Sequence, residues 1–302
     1  MATTLVNAYS IHVDESTKAE LRNIHAGIME NIAKNSISGQ LKSRAANLRE
    51  KAGSYEFKRF ANVGIQDYGT ARTKRAGEKN VVPPVQVLVD KRKEIVYEVT
   101  ADDVQSFGEG YTLADWAREN RTRFESAWSR YYDREFFSVA KSQGTQAKIG
   151  GSFVEIDISD TKAVKIRTQL EKVIQMAVKT QNDFVDGIDR ELLTLVLNSD
   201  VYGDVKDELD DNRNFMGSVS DKNFKGINGV PCLDSTRLPD GVAFILLTPD
   251  TIAQPIVNML PDSDPFSMEK IEMSADYAFG MFNRHGTKVL ATDLVWWGAV
   301  KA

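Results

Sequence analysis

The stretch that decides the fold runs from Ser54 to Thr100: SYEFKRFANVGIQDYG (54–69), TARTKRAGEKNVV (70–82) and PPVQVLVDKRKEIVYEVT (83–100). In the last part Val85, Val87 and Val89, then Ile95, Tyr97 and Val99, alternate with mostly polar neighbours, the period of two that marks a strand. The pattern predicts one very long β-hairpin whose limbs of about 14 residues reach roughly 45 Å at about 3.3 Å per residue. Its tip carries Arg72, Lys74, Arg75 and Lys79 around Gly77. Ordinary strands have about 5–6 residues, and an isolated two-stranded hairpin is marginal in water. A ribbon of this length cannot bury its own faces, so it is expected to lie on another chain.

The rest of the composition narrows the class. A chain of 302 residues, 42% hydrophobic and 27% charged, has material for one elaborate core or two ordinary ones. Mean hydropathy is negative, and no apolar run approaches the roughly 18–20 residues that span a bilayer, so no membrane partner is expected. The opening MATTLVNAYSIHVDESTK has no basic region followed by an apolar core, so no secretory signal is expected. Cys232 is the single cysteine; it excludes an intrachain disulfide and fits a reducing compartment. A net charge of -5 argues against a dedicated nucleic-acid binder, although basic residues gather at the hairpin tip and at Lys91, Arg92 and Lys93.

Along the chain, Asp14 and Ser16 are candidate caps for a helix with Leu21, Ile24, Ile28 and Ile32 on one side. Ser36 to Gly39 breaks it, and Leu41, Ala45 and Leu48 predict a second short helix. Both stripes are narrow, which predicts an arm that needs to dock elsewhere. Thr112 with Asp115 resembles a capping box, and the helix after it carries Leu113, Trp116, Ala117, Phe124, Trp128 and Tyr131, with Phe136 and Phe137 following. Its aromatic load predicts core packing, and Gly144 and Gly150-Gly151 end it. FVEIDI reads as a strand. From Asp160 to Ser199, Ile166, Leu170, Val173, Ala177, Phe184, Ile188, Leu192 and Leu195 keep helical spacing, which predicts a rod of about 60 Å if continuous. Asp200 to Asp221 is acidic and turn-rich and reads as a surface loop or flap. VPCL, VAFILLT and EKIEMS read as strands, TPDTIAQPIV as a helix start capped by Thr248 or Asp250, and GTKVLATDLVWWGAVKA as one or two closing strands.

This ordered layout resembles the major capsid protein of tailed bacteriophages, the Hong Kong 97-like fold that encapsulin nanocompartments share. The strings that carry the resemblance are VQVLVDKRKEIVYEV, GINGVPCLDSTRLPDGVAFILLTPDTIAQPI and YAFGMFNRHGTKVLATD. It implies an α+β fold in five parts. They are an N-terminal arm (Met1 to Lys51), an extended hairpin loop (Ala52 to Val104), a peripheral domain with a long spine helix (Gln105 to Ser199), an axial domain (Asp200 to Asp276), and a closing segment (Tyr277 to Ala302) that returns to the peripheral domain. It further implies pentamers and hexamers of the chain in an icosahedral shell, assembled in the host bacterial cytoplasm around double-stranded DNA held without sequence-specific contacts. A separate scaffolding protein, a portal and a decoration protein are the other implied partners. In such a shell Arg72, Lys74, Arg75 and Lys79 at the tip are candidate contacts for an acidic patch next door, with Asp207, Glu208, Asp210 and Asp211 as one such patch. An encapsulin-like compartment subunit is the second reading of the same fold.

Catalytic chemistry is thin. His12, His25 and His285 have no metal-ligand spacing. Cys232 with His285 as base is the nucleophilic arrangement a soluble hydrolase would use, but its VPCL setting reads as a packed thiol. Asp204, Asp207, Glu208, Asp210 and Asp211 do not follow the calcium-loop spacing and read as a solvated loop. No phosphate-cradling GxxxxGK[ST] motif occurs, and Trp296-Trp297 reads as packing. No cofactor, no metal and no catalytic residue are expected, which favours a structural shell subunit over an enzyme.

Overall fold

Six consecutive apolar residues, Val242 to Leu247, are fully buried, as a strand covered on both faces requires. They lie in a computed structural model that describes residues 15–43, 47–51, 53–57, 84–100, 113–158, 163–206, 226–258, 265–270 and 277–301. The helices include α1 (Glu15–Asn35), α2 (Ile37–Leu41), α3 (Leu113–Glu119), α4 (Arg121–Gln143) and α5 (Ala163–Val178); residues 199–206 are helical as well and bury Val201 and Val205, so the expected surface loop does not begin at Asp200. The first strands are β1 (Asn47–Lys51), β2 (Ser54–Phe57), β3 (Val85–Leu88), β4 (Lys91–Val99), β5 (Thr145–Gln146), β6 (Lys148–Ile149), β7 (Ser152–Phe153) and β8 (Glu155–Ile156). After α5 come β9 (Gln181–Asn182), β10 (Val185–Asp186), β11 (Thr194–Asn198), β12 (Gly226–Ile227), β13 (Val230–Ser235) and β14 (Val242–Leu247). The last strands are β15 (Ile252–Ala253), β16 (Ile256–Asn258), β17 (Phe266–Lys270), β18 (Tyr277–His285), β19 (Lys288–Val289) and β20 (Val295–Val300). They form two units. The first draws on Met1–Gln40, Leu88–Asp133 and Gln254–Gly286, and the second on Leu41–Val87, Arg134–Ala253 and Thr287–Ala302.

In the first unit β4 pairs antiparallel with β18 along its whole length, from Lys91↔His285 to Val99↔Tyr277. The other edge of β18 is shared end to end by β17 and β16. Leu21, His25, Ile28 and Ile32 form a buried stripe on α1, spaced by four, three and four as one helical face demands. Its apolar members meet Trp116 of α3, Phe124 and Trp128 of α4, Phe266 of β17, and Phe279 and Met281 of β18 in one core. Trp116 stacks on Phe279 with ring centroids 4.6 Å apart.

In the second unit the main sheet runs β12-β13-β11-β14-β20-β5, with β8 also on β20. β11 is parallel to β13, and β20 is parallel to β5 and β8, while β14 is antiparallel to both of its neighbours. α5 contributes Ile166, Leu170, Val173, Ile174 and Ala177 to the core that contains Phe244, Leu246 and Trp296. β1, β2 and β3 make a separate three-stranded sheet.

Several expectations hold. The VPCL and VAFILLT strands and both closing strands are present, and the aromatic helix ends before Gly144. Others need correction. The returning limb of the hairpin is not one strand: β3 stops at Leu88 and joins β1 and β2, while β4 belongs to the sheet around β18. Alternation identifies a strand but not its partner, and the partner of β4 lies far away in sequence. Residues 58–83, with the expected tip, lie outside the described residues.

The segment from Asp160 to Ser199 is not a rod. α5 ends at Val178, and the Asn182 Oδ1 accepts the Phe184 and Val185 amides to make the β9–β10 turn. Gly187 then takes φ 83. Among the described residues the longest helix is α4, with 23 residues. The expected helix start at TPDTIAQPIV is a turn followed by β15 and β16, with Asp250 at φ 69. FVEIDI splits into β7, paired with β6, and β8, paired with β20. Leu48 lies in β1, not in a second helix, and α1 packs into its own unit.

Close packing yields a prediction. A Cβ built on Gly298 lies 2.1 Å from Phe244 Cε1. Gly298→Ala is therefore expected to destabilise the chain by about 1–3 kcal/mol, the usual cost of overpacking a core. Urea unfolding curves check this, and Phe244→Leu in the same chain should recover part of the loss.

Candidate functional site

Arg72, Lys74, Arg75, Lys79, Asp207, Glu208, Asp210 and Asp211, the contact residues expected from the sequence, lie outside the described residues. What is described offers two chemically distinctive settings and several surfaces. Among the described residues no group of three His, Cys, Asp or Glu side chains is placed to hold a metal ion.

Cys232 lies in β13 opposite Leu195 of β11 and is 7% exposed. Its Sγ sits 3.6 Å from the Val230 carbonyl oxygen. Burial pushes the thiol up to about 12, against a smaller opposing effect of a backbone hydrogen bond from Ile227. A thiol in that state is not ionised at neutral pH, and the thiolate is the reactive form. His285, its proposed base, belongs to the first unit and is itself fully buried. There its Nε2 lies 3.3 Å from the Tyr131 hydroxyl. Cys232 is thus a core residue, as its VPCL setting suggested.

The second setting is a buried polar layer in the first unit. His25 Nε2 on α1 lies 2.8 Å from Asn283 Oδ1 on β18, across 258 residues of sequence. Desolvation holds His25 below its ordinary 6.5, with the Asn283 hydrogen bond acting in the opposite direction. The neutral imidazole therefore donates from Nε2 and fixes α1 on the sheet. Tyr132 is fully buried in the same unit, and burial raises its phenol well above its ordinary 10. A hydrogen bond of this kind contributes about 0.5–1.5 kcal/mol net, whereas a stranded buried partner costs about 1–3 kcal/mol. Sequence reading missed this pair. The available signal was that His25 falls on the same face as Leu21, Ile28 and Ile32.

The surfaces suit association more than catalysis. A groove of about 470 Å³ beside α5 is lined by Phe153, Glu155, Asp157, Lys165, Lys172 and Lys301, with Lys301 Nζ 3.0 Å from Asp157 Oδ2. It holds both signs of charge, with Ser152 as its lining hydroxyl. Phe153 and Leu192 are 54% and 56% exposed in the second unit, and Leu88 and Val96 are 59% and 47% exposed in the first. Among the described strands β4 pairs with β18 alone.

No protein-family model matches the sequence, and no curated protein sequence matches it. Solved structures do. The capsid structure of the cyanophage P-SCSP1u is similar with a TM-score of 0.59 and 9% identity, covering 88% of this chain and 88% of that one. The structure from Mycobacterium phage Che8 gives 0.53 and 14% over 87% and 91%. The virus-like particle from Pyrococcus furiosus gives 0.51 and 10% over 92% and 98%. The chain therefore has the Hong Kong 97-like α+β fold of tailed-phage capsid subunits.

Two measurements check these settings. Because His25 is held below 6.5 in the fold, the unfolded chain takes up that proton first as pH falls. Stability should decline from about pH 6.5 downward until the folded imidazole also protonates. In His25→Gln, which keeps a donor toward Asn283, chemical unfolding at several pH values should show a shallower decline; an identical decline would remove His25 as its source. Cys232 should not react with a chromogenic aryl disulfide in the native chain at pH 8. One thiol per chain should appear once guanidinium unfolds it, and rapid native reaction would contradict the core assignment.

Proposed function

We propose that this chain is the major capsid protein of a tailed bacteriophage, a structural and non-enzymatic virion component. Copies of it form pentamers and hexamers that close into an icosahedral shell around double-stranded DNA. The observation that carries this reading is the match to phage capsid subunits over nearly nine-tenths of both chains. In this reading the first unit, which holds α4 as far as Asp133, is the peripheral body, and the second is the axial body. The segment from Ala52 to Val104 reaches a neighbouring copy through its middle, while its last strand, β4, is anchored in its own subunit. Arg72, Lys74, Arg75 and Lys79 meet an acidic patch there, with Asp207, Glu208, Asp210 and Asp211 as the candidate.

Assembly takes place in the host bacterial cytoplasm, with a separate scaffolding protein, a portal and a decoration protein as further partners. Exposed Leu88, Val96, Phe153 and Leu192 support burial between copies. Stability in such a shell comes from repeated interface area more than from single exposed ion pairs, each of which contributes about 0–1 kcal/mol.

Electron microscopy of the purified chain tests the reading. Closed shells, or rings of five and six, are expected. Deleting Tyr68 to Val82 should leave a folded, soluble chain that no longer closes shells. A small monodisperse oligomer from the intact chain, or undiminished shells from the deletion, counts against it. Shells filled with a host protein in place of nucleic acid would point to the compartment reading.

A further inference from the structure

Two large apolar side chains stand out on the described surface of the second unit, Phe153 and Leu192, each more than half exposed. They lie toward opposite ends of α5 and in surroundings of opposite charge. Phe153 walls the groove of about 470 Å³ along the first half of the helix, and buried Val154 and Ile166 form its floor. Lys165, Lys172 and Lys301 line it together with Glu155 and Asp157, and Lys148 Nζ stands 4.5 Å from the Phe153 ring centre. Four lysines thus face two acids, one of which, Asp157, already accepts from Lys301 at 3.0 Å. The groove is apolar at its base and positive at its rim.

Leu192 belongs to the segment that closes the other end of α5, where the Ile188 amide donates to the Val178 carbonyl oxygen at 3.0 Å. Between Gln181 and Leu192 this segment exposes Asp183, Asp186, Asp189 and Glu191 against the one cation Arg190. Arg190 Nη1 in turn lies 3.3 Å from the Asn228 carbonyl oxygen. The loop is already formed. Asn182 Nδ2 donates to Asp293 Oδ2 at 2.6 Å, the Leu192 amide donates to the Asp189 carbonyl oxygen at 3.0 Å, and the next residue, Leu193, is fully buried. Leu192 is therefore held outward, and docking it costs little further ordering.

Three pairings between copies would cover these two side chains. Groove on groove sets lysines against lysines, and loop on loop sets acids against acids; like charges brought together in this way are costly. Loop into groove instead brings Leu192 onto Phe153, Val154 and Ile166 and sets the acids among the lysines. We infer that the Leu192 loop of one copy seats in the Phe153 groove of the next, head to tail. A contact between two different surfaces repeats in one direction and generates a ring when its rotation closes. The inference rests on the shell reading for the number of copies in the ring, and on the two surfaces alone for the contact.

The test is disulfide trapping in the full chain, where buried Cys232 does not compete. Ser152→Cys places a thiol in the groove and Glu191→Cys one in the loop, both at exposed positions. Under mild oxidation each single variant should run as a monomer on non-reducing gels, and a mixture of the two should give a dimer and nothing longer. The double variant should give a ladder that ends at five and six copies. Adding Lys165→Glu/Lys172→Glu to it should cut the ladder about tenfold or more, and adding Asp183→Lys/Asp189→Lys as well should restore it. A second pair, Gln169→Cys with Asp189→Cys, covers the case in which the first lacks disulfide geometry.

No ladder from either double variant overturns the inference. So do dimers from a single variant alone, which would assign these surfaces to a two-fold contact. Electron microscopy of the same preparations separates the contact from the shell reading. Closed shells without a ladder sink the contact alone. A ladder from chains that never close shells sinks the shell reading alone.

Discussion

A strand inside a sheet must satisfy its backbone donors and acceptors on both edges, and in the first unit that demand falls on β18. Its nine residues take β4 on one edge and β17 with β16 on the other. Only then does its inner face present Phe279, Met281 and Asn283 to the helices. The exit from β18 is equally constrained, since a Cβ on Gly286 would fall 1.7 Å from the Leu88 carbonyl oxygen. The second unit repeats the arrangement with β20, which carries β14 on one side and β5 and β8 on the other. Each unit is thus built from three separate stretches of chain. Neither is complete without residues from the last part of the sequence, and non-local pairings of this sort make folding slow relative to helical bundles.

What the sequence made legible follows from the range of its signals. The VAFILLT run is a local signal and appears as read; the aromatic face from Trp116 to Phe137 is divided at Asn120 between α3 and α4, and the α1 stripe runs through His25 in place of Ile24. The errors arose where a local pattern fitted two structures. Ile188, Leu192 and Leu195 continue the spacing of α5, yet Leu195 is fully buried in β11 while Leu192 is 56% exposed. Asn182 and Gly187, a turn-forming side chain and a left-handed glycine, were the sequence features that outweighed the spacing. β4 alternates as a hairpin limb would, and nothing within its own residues distinguishes Tyr277–His285 from a hairpin partner. Thr248 and Asp250 looked like caps, but Asp250 adopts the left-handed conformation of a turn.

The candidate site divides in the same way. The apolar neighbours of Cys232 marked it as a packed thiol, and burial keeps it unionised. The His25–Asn283 pair links α1 to a strand far along the chain, so neither residue advertises the other. The similarity to capsid structures at identities of 14% and below fits this picture, because cores tolerate wide substitution when volume and patterning are kept.

The burial of Cys232 has a practical side. A chain whose sole thiol is shielded inside a sheet behaves toward maleimides and similar reagents as though it were cysteine-free. One new cysteine on an exposed polar position, such as Ser138, would then be the single addressable handle in each subunit. Dyes, crosslinkers or spin labels could be placed there in fixed stoichiometry without first mutating the core.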